Sequence, residues 1–175
     1  MSTFTDAFAE FLDAFVAVEP VAATAIGDHR HDGRWPDLTA DGRRARLVFI
    51  DTWSDRFAAI ADAELERDDA IDRDLVLGEL AAWRFDETEL REDAWNPLAW
   101  IYLLGEGLFP LLARDFAPLA VRLASVAARL KTMTSVTDAA RETLVGAGPG
   151  RPVGRFQTES GRWRRAKSRS SSLSS

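Results

Sequence analysis

Apolar residues in this chain recur at three- and four-residue steps over most of its length, a repeat that lines one side of a helix and cannot line one face of a strand. Phe4, Phe8, Phe11, Leu12 and Phe15 open the pattern and predict a first helix that stops before Pro20. Val21 to Ile26 adds one more turn, and Gly27 opens a polar loop, Asp28 to Asp37, that holds both histidines of the chain. Thr39 is placed to cap a long second helix, Ala40 to about Glu66, through Leu47, Ile50, Trp53, Phe57, Ile60 and Leu65. Asp69 with Asp72 predicts the cap of a third helix reaching about Glu92. Its apolar residues fall on two sides, Ile71, Leu75, Ala82 and Phe85 against Val76, Leu80, Trp83 and Leu90, so it is expected between two neighbours.

Pro97 to Ala113 is apolar almost all round. It contains Glu106 and two glycines and is too short for a membrane span, which predicts a buried central helix, kinked or broken at Pro110. Pro118 then suits the first position of a fifth helix carrying the stripe Leu119, Leu123, Val126 and Leu130. Ser135 with Asp138 resembles a capping box for a short sixth helix ending at Val145. No segment alternates convincingly as a strand. The fold class is all-α: about six helices in an irregular bundle over residues 1–146, a Gly/Pro loop over 147–159, and a disordered basic Ser/Arg-rich tail over 160–175.

Charge divides the chain. Residues 151–175 hold seven of the 22 basic residues and one of the 28 acids, which leaves residues 1–150 at −12, and so acidic a body repels a phosphate backbone. The tail after Glu159, dominated by Arg, Ser, Gly and Trp, is read first as an out-of-frame or truncated ending of a GC-rich gene, next as a solvated linker, and last as a patch for nucleic acid or membrane. Neither a nucleic acid nor a membrane is expected as partner. The absence of cysteine excludes disulfides and thiolate chemistry, and with no basic leader at the N-terminus the expected compartment is the cytoplasm.

Chemistry-bearing motifs are sparse. His29 and His31, with Asp28 and Asp32, superficially suggest a metal site, but a catalytic zinc takes about three protein ligands and no His-Glu-x-x-His helix or third histidine exists. The plainer reading is a loop whose side chains bond nearby backbone or Arg30 and Arg34. Glu87 with Arg91 reads as an ordinary helical pair, and the other paired carboxylates as solvated faces. Glu106, an acid inside an apolar helix, needs a partner, and Arg114 is the candidate for a buried salt bridge.

The run Ala23 to Gly33 followed by Pro36-Asp37-Leu38, then Asn96-Pro97-Leu98, Gly105-Glu106-Gly107-Leu108, Arg114-Asp115-Phe116, Arg122, Arg129-Leu130 and Arg151-Pro152-Val153 resembles, in that order, the N-terminal part of the bacterial family called domain of unknown function 885. That family is similar to helical zinc metallopeptidases, and its metal-binding segment, a His-Glu pair with a further His, lies well downstream in its longer members. The resemblance implies that these helices form one wall of a substrate cleft, with His29, His31 and Asp32 on a candidate rim. It implies no catalytic residue, metal ligand or cofactor in this chain, zinc being expected only in full-length relatives. A peptide-like substrate is then expected only where the remaining part is present. The alternative is a non-catalytic helical interaction module, self-associating through exposed apolar helix faces.

Overall fold

A computed structural model describes residues 3–145, and the expected loop at 147–159 and tail at 160–175 lie outside them. Among the described residues there are seven α-helices and no strand: α1 (Thr3–Val18), α2 (Pro20–Ile26), α3 (Ala40–Ala58), α4 (Arg67–Phe85), α5 (Glu92–Trp95), α6 (Pro97–Ala113) and α7 (Leu119–Val145). The chain is all-α, as its periodicity requires.

These helices enclose two apolar cores. In the first, Phe4 and Ala7 of α1 meet Ile50, Trp53 and Phe57 of α3 and Leu80 of α4. Phe11 lies edge-on to both Trp53 and Phe57, at 5.4 and 5.6 Å between ring centres, so the phenylalanine repeat at the N-terminus forms an aromatic seam. In the second, Val21 of α2, Trp35 of the loop, Trp100 of α6 and Val136 of α7 pack together. Pro20 opens α2, and Gly27, at φ 94°, closes it in the left-handed conformation that glycine adopts without strain.

Several boundaries depart from expectation. Helix α3 starts as foreseen, with the Thr39 hydroxyl accepting from the Gly42 amide, but it ends at Ala58, and Leu65 follows a 3-10 turn over Asp62–Glu64. Arg73 holds that turn by donating to the Ile60 carbonyl and to Asp62. Helix α4 begins at Arg67, so Asp69 lies in its first turn and acts through the macrodipole, not as the cap. Nor does α4 reach Glu92: a π-helical turn over Asp86–Leu90 ends it, and Arg91 follows with φ 48° and ψ 50°. The expected sixth helix is the second half of one continuous α7, in which the Ser135 hydroxyl donates to the Thr132 carbonyl and caps nothing.

Burial brings the larger corrections. Helix α4 is not sandwiched: Val76, Leu80 and Trp83 reach the first core, while Ile71, Leu75, Ala82 and Phe85 are all exposed. Helix α6 is not buried all round either. Trp100, Gly107, Pro110 and Leu111 face inward, whereas Leu98, Ile101, Tyr102, Phe109 and Leu112 face outward. It runs through Pro110 to Ala113 without a break, and its last carbonyls are taken by Arg122, which donates to Leu111, Leu112 and Arg114. On α7 the inward positions are Arg122, Val126, Arg129 and Val136, so of the sequence stripe only Val126 is buried.

Candidate functional site

The seam between the two cores is polar and open. A cleft of about 480 Å³ lies there, walled by Phe15, Trp83 and Trp100 and lined by five acids (Glu19, Asp86, Glu87, Glu92, Asp93) against two arginines, Arg43 and Arg46. Every element near the seam contributes. Glu19 sits between α1 and α2, the arginines one turn apart on α3, Asp86 and Glu87 in the π-helical turn, and Glu92 and Asp93 in α5.

Arg46 is buried and donates from Nε to Glu87 Oε1 at 2.9 Å and from Nη1 to the Asp37 carbonyl at 2.7 Å, with Glu19 Oε1 3.8 Å away. Arg43 donates to the Glu87 carbonyl at 3.1 Å and pairs with Asp93. Glu87 Oε2 is buried without a hydrogen bond, with Arg43 Nη1 3.7 Å away. Glu87 therefore bridges two arginines from a helix far away in sequence. The expected Glu87–Arg91 pair gives way because the left-handed backbone at Arg91 sends that side chain toward Asp93, at 3.6 Å. Burial pushes the Glu19 carboxyl up to about 7. Arg46 opposes the shift and the Glu87 charge adds to it, which leaves a carboxyl able to hold or release a proton near neutrality.

The sequence candidates occupy other places. His29 Nδ1 lies 3.0 Å from Asp32 Oδ2, and its ring stacks on Phe116 with centres 3.5 Å apart and planes 6° from parallel. Asp32 is buried and accepts from the Thr24 hydroxyl at 2.7 Å. His31 points instead to Arg34, with Nδ1 and Nη1 3.4 Å apart, and Arg30 pairs with Asp28 at 2.7 Å. The two histidines thus do not converge, and among the described residues no three His, Asp or Glu side chains gather as a metal would need. These residues do not fit the zinc that the resemblance implies for longer relatives. The buried Glu106–Arg114 bridge is not formed: Glu106 is exposed, and Arg114 donates to the Ala25 carbonyl at 2.7 Å.

One fully buried cation holds this region together. Arg129 of α7 donates to the carbonyls of Arg34 (3.0 Å), Pro20 (3.1 Å) and Gly107 and to the Thr24 hydroxyl (2.9 Å), and its own carbonyl accepts from the Trp35 indole at 2.9 Å. The Thr24 hydroxyl, which accepts from Arg129, donates in turn to Asp32. Desolvation lowers the Arg129 pKa and Asp32 opposes the shift. Loop, α2, α6 and α7 are thereby fixed to one guanidinium, which sets Pro36 and Leu38 at the edge of the cleft.

The cleft itself was missed in the sequence, since Glu87 and Asp93 lie some forty to fifty residues from the arginines they meet. The one available signal was Arg43 and Arg46 on the core side of an otherwise apolar helix face.

No curated protein matches the chain. Among solved structures it is similar to a putative lipoprotein of unknown function from Shewanella oneidensis, at 26% identity and a TM-score of 0.75. The match covers 82% of this chain and 26% of that one, so this chain spans about a quarter of that relative's length. A model of the bacterial proteins of unknown function called DUF885 matches residues 20–165, which takes in the loop, the Arg129 staple and every cleft residue but Phe15 and Glu19, and the chain belongs to the DUF885 family.

Proposed function

We propose that this chain is the front helical lobe of a peptidase-like protein: it offers one wall of a cleft to a peptide-like substrate and leaves hydrolysis to residues it does not itself contain. The observation that carries this reading is the cleft's composition. An excess of carboxylates beside two tryptophans attracts a cation by charge and by the negative faces of the rings. In a peptide-like molecule that cation is the α-ammonium group or a basic side chain. The salt bridges of Arg43 and Arg46 keep the wall rigid, while Asp86 and Glu92 are exposed at its mouth. Of the Asp28–Asp37 loop that the family resemblance implies as a rim, Pro36 lines the cleft, whereas His29, His31 and Asp32 do not.

Calorimetric titration tests the reading. Short peptides with a free amino terminus are expected to bind, N-acetylated neutral peptides to bind at least tenfold more weakly, and Asp86→Asn with Glu92→Gln to remove most of the difference. Equal affinity for both peptides, or none for either, contradicts it.

The alternative, a non-catalytic interaction module, draws on a different observation: the outward apolar faces of α4, α6 and α7. The two readings are compatible, because the cleft and these faces use different residues.

A further inference from the structure

From the outward face of α6 we infer that a second copy of this chain docks there, the two α6 helices crossing antiparallel at Gly105. On a 3.6-residue helix, Leu98, Ile101, Tyr102, Phe109 and Leu112 all project within about 60° of the Gly105 direction. They are between 49% and 69% exposed, while Trp100, Gly107 and Leu111 occupy the opposite, core side. No charge falls within that arc; Glu106, about 100° round, stands at its margin.

The spacing commits the occupant. A two-fold contact must be self-complementary, so each residue meets its mirror position about the axis. About Gly105, Leu98 mirrors Leu112 and Ile101 mirrors Phe109, so the stripe is its own partner. Gly105 is also where two helices approach most closely, and a Cβ built there would meet nothing within 4 Å in the single chain. The bare backbone at the centre therefore serves no intramolecular contact, and it suits a neighbouring helix. Five half- to two-thirds-exposed side chains on each copy remove on the order of 1,000 Å² of surface in total, the lower end for a specific interface. A dimer in exchange with monomer is expected. The outer face of α4 has an open glycine too, at Gly78, but Asp74 lies within its arc and self-pairing would bury that charge.

The chain contains no cysteine, so single substitutions report proximity cleanly. Sedimentation should show a concentration-dependent monomer–dimer equilibrium, with Phe109→Ser raising the dissociation constant at least tenfold at unchanged helicity. Under mild oxidation Gly105→Cys should give a disulfide-linked dimer, and Leu98→Cys should cross-link to Leu112→Cys when the two are mixed. Gly78→Cys should remain uncross-linked. A monomer at all concentrations, cross-linking at Gly78 and not Gly105, or a dimer indifferent to Phe109→Ser would each overturn the inference.

Discussion

Glu19 is the residue whose setting most directly couples structure to solution behaviour. Its carboxyl is raised from 4.5 to about 7, chiefly by burial, so the folded protein keeps a proton that the unfolded chain releases between those values. Stability linked to Glu19 is therefore greatest below about pH 4.5 and falls as pH rises through 7, opposite in sign to an ordinary salt-bridged carboxylate. Glu19→Gln should flatten the pH dependence of the melting temperature between about pH 4.5 and 7 and raise stability at pH 8 by on the order of 1–3 kcal/mol. Thermal melts across that range check it; an unchanged slope would mean that Glu19 is ionised in the fold. Arg129 has the contrary character. It is fully buried, four neutral acceptors and a relayed carboxylate hold it, and stripping a buried charge of its partners costs about 3–5 kcal/mol. The chain fastens its second core with one cation where the first core uses a seam of tilted and edge-on aromatic rings.

At the scale of the element, α6 shows what was legible in the sequence and what was not. Its bounds, Pro97 to Ala113, follow from Asn96 and Pro97 at its start and from the polar Arg114-Asp115 beyond its end, and Asn96 caps it by accepting from the Leu98 amide at 3.1 Å. Its burial was not legible, because an apolar side looks the same in sequence whether it faces a neighbour or water. The two glycines of Gly105-Glu106-Gly107 part company on this point. A Cβ on Gly107 would come within 2.2 Å of the Trp35 ring, whereas one on Gly105 meets nothing. Gly107→Ala should destabilise by about 1–3 kcal/mol through overpacking, and Gly105→Ala should stabilise the dilute monomer by about 0.5–1 kcal/mol through helix propensity. Urea unfolding of the two variants at low protein concentration distinguishes them, and equal effects would place the glycines in equivalent settings. The Thr39 cap was legible because it acts on a residue three positions away, whereas Asp69 and Ser135, read by the same spacing, cap nothing, the one lying inside the first turn of α4 and the other within the continuous α7. The π-helical turn and the left-handed Arg91 were not, since no sequence rule singles out a non-glycine residue for φ 48°.

Across the whole molecule, the two cores were implicit in the helical repeats, and the seam between them was not. Arg46 meets Glu87 across 41 residues and Arg43 meets Asp93 across 50, and local charge patterning carries no trace of such pairs. The sequence instead drew attention to His29, which the fold uses to lean the loop on Phe116. The molecule that results has a charged cleft between two helical clusters and membership of the DUF885 family, and its match covers 26% of its Shewanella relative. We propose for this chain a binding wall, with hydrolysis left to residues outside it. The most direct measurement equilibrates the purified protein with zinc, removes the excess, and assays both bound metal and chelator-sensitive peptide hydrolysis. The account predicts sub-stoichiometric zinc and no such hydrolysis; stoichiometric, tightly held zinc with hydrolysis lost in His29→Ala would contradict it.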